Sequence, residues 1–408
     1  VRILLITHGY APQVNPRSFR WTALAEHWAA THSAEIDVVT LCNSENADFE
    51  KRNGVNVYRV GSKVDSRLRA QAPVRVIPGL RWLYRQTWRK IMWPDYACLW
   101  YFGAAKKARE LCAKHEYDWM ISVSHPFTGH MVGLSVKRKF PQLPWMVDIG
   151  DPFAFLDGQP PNNRWLYKKL NFAAEERTLK QASIISVTTP KTQELYERHF
   201  RQCSGKIVTI PPLFRPATYA QKNAVTNNVR KKIVYVGTLY STIRSPQPLL
   251  EVFARLVKSQ ELELHFYGAM NDCVPLFESY QELIGKNLFV HGLVSSEHAQ
   301  DAIASCDILV NIGNETTYQL PSKTVECLAS GKPILNVVSS AMDSSADFFS
   351  GYPSLFTLTN AEAASTNSDA RLIEFINKAQ PVDPSWTKGR LAPFTLDSVS
   401  GSYWNLLL

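Results

Sequence analysis

Residues 318 to 335, YQLPSKTVECLASGKPIL, put a lysine in the first turn of a short helical pattern. A helix start carries partial positive charge, so a cation there costs a few tenths of a kcal/mol up to about 1. A bound anion reverses that sign, because free backbone N–H groups and the Lys323 ammonium then converge on it. Glu326 follows three residues on and shares a face with Lys323, with Ser322 placed to cap the helix. That carboxylate can accept hydrogen bonds from a sugar diol while Lys323 and the helix start hold a phosphate. The same spacing equally makes a plain surface ion pair, worth about 0.5 kcal/mol or less.

Other residues offer related chemistry. Gly237 closes the apolar run KIVYVG and leaves room for a diphosphate to approach the backbone. Arg244, in GTLYSTIRSP, supplies a planar fork that suits phosphate, or else is a solvated loop arginine. In the first half, HGYAPQVNPRSFR (8–20) reads as a loop entering a helix, and Arg17 and Arg20 flank its start. Cations at a helix start again point to an anionic ligand. Asp148 and Asp151 in VDIGDPF, three apart, either act as paired bases or shape a loop that grips an acceptor hydroxyl. His125 and His130 in SHPFTGH, taken singly, read as turn or cap histidines.

These residues need a scaffold, and the hydrophobic pattern supplies one. Short Val- and Ile-rich runs alternate with helical stretches: RILLIT, IDVVTL, VNVYRV, WMISVS, WMVDIG, SIISVT and KIVTIP, then KIVYVG, LELHFYG, LFVHG, ILVNIG, KPILNVV and SLFTL. Continuous apolar runs are strands covered on both faces, and their alternation with helices predicts parallel, doubly wound sheets. Residues 212–231 are polar, hold two prolines and break the pattern, which predicts a linker. The expectation is an α/β protein with two Rossmann-like domains facing a cleft. One covers 1–211 and the other 232–385, with 386–408 packing back on the first.

The donor-side residues carry a family resemblance. SKTVECLASGKPIL resembles the donor-site segment of the retaining GT-B glycosyltransferases of family 4, whose pattern is Glu, seven residues, then Glu-x-x-Ala-x-Gly-x-Pro. KKIVYVGTLY, LELHFYGAM and NLFVHGLVSSEHAQDAIASCDILV resemble that family's donor domain, and RILLITHGYAPQVNPRSFRWTALAEHWA, DWMISVSHPFTGHMVGL and PWMVDIGDPF its acceptor domain. The resemblance implies that Glu326 binds the ribose of the nucleotide, and that Tyr318 stands where a first Glu would contact the transferred sugar. It also implies a phosphate role for Arg244 and base contacts at Gly268 and at Gly292, Leu293 and Val294. His125 or His130 would face the reacting sugar. Asp148 and Asp151 match an Asp-x-Arg-Asp segment, with Gly150 in place of the Arg. Implied with these are a nucleotide diphosphate sugar as donor substrate, no metal, no cofactor, and an acceptor that is lipid-linked or a saccharide of surface polysaccharide type. A nucleotide-sugar epimerase on the same fold and a catalytically silent sugar-nucleotide-binding subunit are the alternatives.

Composition narrows the setting. The chain has 408 residues, 45% hydrophobic and 20% charged, with a net charge of +9, which asks for an acidic partner. The basic residues form no known nucleic-acid module, so nucleic acid is not expected. Instead the segment 63–93, KVDSRLRAQAPVRVIPGLRWLYRQTWRKIMW, interleaves Arg and Lys with aromatic residues and points to an anionic membrane surface. Packing of its tryptophans in the core is the alternative. Seven scattered cysteines without a CxxC fit a reducing compartment. No apolar stretch is long enough to span a bilayer, and because the sequence opens on a strand pattern, VRILLI, a signal peptide is not expected. The expected location is the cytoplasm, peripheral on the inner face of the cytoplasmic membrane.

Overall fold

The computed structural model describes residues 1–13, 15–42, 47–61, 91–156, 160–214, 230–314, 316–340 and 342–408. The basic aromatic segment up to residue 90, and most of the linker (215–229), fall outside the described residues. The chain forms two compact units, Val1–Pro212 with Leu396–Leu408, and Leu213–Thr395.

The first unit holds β1 (Arg2–Ile6), β2 (Glu35–Leu41), β3 (Phe49–Arg52), β4 (Val55–Val60), β5 (Trp119–Val123), β6 (Trp145–Asp148), β7 (Ile184–Val187) and β8 (Ile207–Thr209). They lie in the order β3-β4-β2-β1-β5-β6-β7-β8. All neighbours run parallel except β3 and β4. The near-continuous burial of β1, β2, β5 and β6 explains their unbroken apolar runs, since helices cover both sheet faces. The order reverses between β1 and β5, and that switch point is where the strand ends of an open sheet leave room for a ligand.

The second unit holds β9 (Lys231–Val236), β10 (Leu262–Tyr267), β11 (Leu288–Gly292), β12 (Ile308–Ile312), β13 (Ile334–Val338) and β14 (Leu355–Thr359), in the order β11-β10-β9-β12-β13-β14 and parallel throughout. Its switch point lies between β9 and β12. The final helix, Leu396–Leu407, belongs to the first unit, whereas the helix Pro384–Leu391 stays with the second. Trp386 holds it there edge-on to Tyr352, with ring centres 5.3 Å apart. Among the described residues no helix is long and apolar enough to cross a membrane.

Candidate functional site

In the second unit the strand-end glycines form a tight step. Gly237 N donates to Tyr267 O at 2.9 Å and Gly268 N to Gly292 O at 2.7 Å. Gly268 has φ +127°, and a Cβ there would come within 1.9 Å of the Gly237 carbonyl, so no other residue fits without moving the loop. Beyond this step Leu293 is exposed.

Arg244 spans the switch point. The loop after β9 turns back on itself, with Arg244 N bonded to Tyr240 O at 2.9 Å. Its Nη1 donates to Thr238 O at 3.2 Å, and its Nη2 reaches across to Asn314 Oδ1, after β12, at 2.7 Å. Nε is buried and finds no partner among the described residues. A partly buried guanidinium between two loops, with a donor unused, is a different object from a solvated loop arginine.

The chain that holds Asn314 leads into the helix Ser322–Ala329. Ser322 is not its cap: Pro321 takes the cap position, and no side chain caps the helix start. Proline fixes the entry angle and has no side-chain oxygen to cap the helix, while its carbonyl accepts from Thr324 N at 3.0 Å. Lys323 Nζ lies 2.5 Å from Glu326 Oε2, so the two form an ion pair in the ligand-free protein. Below them the helix is anchored by a buried polar ladder. Thr324 Oγ1 donates to Asn311 Oδ1 at 3.3 Å, Asn311 Nδ2 to Asn336 Oδ1 at 2.8 Å, and Ser345 Oγ to that same Asn336 oxygen at 3.1 Å. Asn311 and Asn336 are register partners on β12 and β13. Val325 and Leu328 bury the apolar side of the helix, and Gly331 ends it at φ +65°. Tyr318 is buried, only 4% exposed.

In the first unit the predicted residues separate into two groups. Asp148, at the end of β6, is 1% exposed, and four donors fill its oxygens. Oδ2 accepts from Arg17 Nη1 at 3.1 Å and Trp21 Nε1 at 2.9 Å, Oδ1 from Ser186 Oγ at 2.8 Å and Tyr403 OH at 2.6 Å. Burial would raise its carboxyl. Arg17, Arg20 and the hydroxyls of Tyr403 and Ser186 outweigh that and hold it below the ordinary carboxylate range. A carboxylate so engaged is an anchor and not a general base.

Arg20 is likewise turned inward rather than toward a ligand. It donates to Pro211 O at 2.8 Å, Ile210 O at 3.3 Å and Tyr403 OH at 2.7 Å. Arg17 lies over Gly150, where a Cβ would sit 1.5 Å from its guanidinium. The space beside Gly150 is filled by Arg17 from another element, so no larger side chain fits at 150 unless Arg17 moves.

His130 is 1% exposed, and burial pushes its imidazole down to about 3, so it is neutral at physiological pH. Trp145 Nε1 donates to Ser122 Oγ at 2.9 Å, and Ser122 Oγ is 2.8 Å from His130 Nδ1. Ser122 Oγ and Nδ1 share that hydrogen bond, and Nε2 has no partner among the described residues. The His130 ring is interior.

His125 stands at the other end of that loop, half-buried at the β1–β5 switch point. Tyr96 lies 5.7 Å from it, ring centre to ring centre, and 5.7 Å from His8, which follows β1. Three partly buried rings meet at the switch point, His8 edge-on to Tyr96 and His125 tilted at 49° to it. His8 and Tyr96 escape sequence reasoning because the contact bridges distant segments. Asp151, half-buried, opens the loop beyond β6.

That loop is fastened by Glu175. Its carboxylate accepts from Phe153 N at 3.2 Å, Ala154 N at 2.8 Å and Tyr196 OH at 2.5 Å. Burial outweighs these bonds and raises its carboxyl to about 7. A carboxyl raised on folding favours the protonated native state, so its contribution to stability is complete below about pH 4.5 and is lost as pH rises to about 7. Glu175→Gln should flatten that fall, which chemical denaturation at a series of pH values would detect. An unchanged slope would count against a titrating Glu175.

Comparison with known proteins agrees with this architecture. Residues 18–212 match the glycosyl transferase 4-like domain, and residues 230–351 match the glycosyl transferases group 1. No curated protein matches the chain. Solved structures do. The lipopolysaccharide outer core galactosyltransferase WaaB, in its apo form, is 12% identical with a TM-score of 0.62 over 99% of this chain and 98% of that one. A glycosyltransferase from Rickettsia africae ESF-5 is 12% identical with a TM-score of 0.64, covering 100% and 97%. Anabaena Alr3699/HepE, solved with UDP-glucose, is 13% identical with a TM-score of 0.60, covering 100% and 99%. At these identities the likeness is one of fold, while each unit separately carries a glycosyltransferase domain. The chain is a glycosyltransferase of the two-domain GT-B fold.

Proposed function

We propose that the enzyme takes its sugar from a nucleotide diphosphate sugar and transfers it, with retention at the anomeric carbon, to a lipid-linked or saccharide acceptor in surface polysaccharide synthesis. The observation that carries the donor half of this reading is Arg244, held across the β9–β12 switch point by Thr238 and Asn314. Strand-end glycines and an uncapped helix start with Lys323 in its first turn share that end of the sheet. Negative charge develops on the departing diphosphate, and preorganised N–H donors and cations stabilise it more than they stabilise the bound substrate. The binding of UDP-glucose by Anabaena Alr3699/HepE supports a nucleotide sugar here.

The acceptor hydroxyl would attack from the leaving-group side and pass its proton to a donor phosphate oxygen. This route asks for no protein base, which fits an Asp148 with both oxygens filled and a neutral, buried His130. It uses no metal ion and no cofactor. Tyr318 would bound the sugar subsite, and the rings of His125, Tyr96 and His8 would face the acceptor. A lipid-linked acceptor would place the enzyme in the cytoplasm, on the inner face of the cytoplasmic membrane.

Incubation with a panel of nucleotide sugars should show acceptor-dependent release of one nucleoside diphosphate. Interconversion of sugars without acceptor would identify an epimerase instead, and no turnover with any donor would point to a silent binding subunit. Glu326→Gln should weaken nucleoside diphosphate binding by roughly 10-fold, through loss of a charge-assisted ribose contact, and leave inorganic pyrophosphate binding unchanged. Calorimetry with both ligands separates the roles: equal weakening would make Glu326 a structural partner of Lys323.

A further inference from the structure

The helix Arg164–Gln181 buries one side through Asn171, Glu175, Thr178 and Leu179. At 3.6 residues per turn, the opposite side of its first turns presents Trp165, Leu166, Lys169 and Leu170. Trp165 is 91% exposed, and Leu166 and Leu170 are 53% exposed each. Lys168 and Lys169 beside them are also exposed. The outward side of a surface helix is ordinarily polar, so a bare tryptophan flanked by two open leucines is a feature that water does not explain.

This is no frayed helix end. The Asn163 side chain caps it, accepting from Trp165 N at 3.1 Å and Leu166 N at 3.3 Å. Behind it Asn162 and Asn171 exchange amide hydrogen bonds of 3.0 and 2.9 Å. Tyr167 OH donates to the carbonyl of Ile91 at 2.6 Å, and the Ile91 side chain is 60% exposed as well. The charged residues of the patch's own stretch of chain are basic. From residue 158 to 174 the sequence holds Arg164, Lys168 and Lys169 and no Asp or Glu.

We propose that Trp165, Leu166 and Leu170, with Lys168 and Lys169, form a surface that docks on an anionic lipid bilayer. The indole suits the headgroup layer, the leucines insert shallowly, and the lysines attract anionic headgroups within a Debye length. A second copy of this chain is a poorer occupant. An isologous contact would set the patch against itself and bring its lysines together with no acid in the segment to meet them. The proposal rests on the membrane placement given above and names the surface that makes the contact.

The test uses the full chain with vesicles of phosphatidylcholine, alone and mixed with phosphatidylglycerol. The wild type should cosediment with the mixed vesicles and come off as salt rises. Combined Trp165→Ser, Leu166→Ser and Leu170→Ser should lower that partition on the order of 10-fold or more, with thermal unfolding unchanged because these side chains are already exposed. Lys168→Ser with Lys169→Ser should lower binding only where phosphatidylglycerol is present. Transfer to a water-soluble acceptor should match the wild type in every variant. Wild-type protein that ignores both vesicles overturns the surface and the membrane placement together. Binding that all the variants retain overturns this surface and leaves the membrane placement standing. A wild-type dimer that the triple variant breaks, with vesicle binding unaltered, would show that a second copy covers the patch.

Discussion

Replacing Arg244 with alanine should lower kcat/KM for the nucleotide-sugar donor by about 10²–10³-fold, the usual loss when a preorganised donor to developing charge is removed. The reason lies in what already holds the guanidinium. Thr238 O and Asn314 Oδ1 fix it before any substrate arrives, so little reorganisation accompanies the reaction. Both partners are neutral, and its positive charge is left for a ligand. Arg244→Lys should recover little, because one ammonium cannot span both loops and keep a donor for phosphate. Steady-state kinetics on both variants, with a thermal-shift control, would show this. If Arg244→Ala turns over at the wild-type rate with its stability lowered, the residue is a loop staple and the phosphate is held elsewhere.

The switch points themselves were legible, because the sequence alternates long apolar runs with helical stretches. Each strand of the second unit falls within a residue or two of its apolar run. β3 was not legible from apolar content: FEKR is a polar, antiparallel edge strand that buries little. Its signal was the turn. Asn53 and Gly54 both take positive φ, 45° and 86°, as a two-residue hairpin requires, and Asn-Gly is the dipeptide that does so most readily.

The site was legible only where a residue's own place is unusual. Lys323 stands out as a cation at a helix start, whatever it touches. Arg20 stood out for the same reason and proved to be an interior clamp, since the carbonyls of Ile210 and Pro211 take the place of the expected anion. Local sequence shows that a charge needs a partner. It does not show that the partner will come from a segment 190 residues away. The same limit hid Tyr403, the Asn311–Asn336 ladder and the His8–Tyr96–His125 ring cluster, all of them contacts between segments well separated in sequence.

Asp148 is where these long-range contacts converge, so its removal should be the most damaging change to the fold. Asp148→Ala would leave Arg17 and the buried Arg20 without their shared counter-charge and strip the acceptor from Trp21, Ser186 and Tyr403. Breaking a buried charge arrangement by removing one member costs about 3–5 kcal/mol, a large part of the stability of most domains. Tyr403→Phe removes one donor from the same network and should cost less, roughly 1–3 kcal/mol. Tryptophan fluorescence can follow the loss in the right place, because Trp386 is the single tryptophan of Leu213–Thr395 and the others lie in the first unit's stretches of sequence. The pH dependence has a definite sign. A carboxyl held below its ordinary range stabilises the fold above the unfolded-state value near 3.8, and that contribution is lost as pH falls through the lower native value. The wild type should therefore weaken steeply on the acid side, and Asp148→Asn should lose that part of the slope while starting from a lower stability at neutral pH. Equal unfolding midpoints for wild type and Asp148→Ala would mean that Arg17 and Arg20 find other acceptors, and that the network is not what secures the final helix to β6.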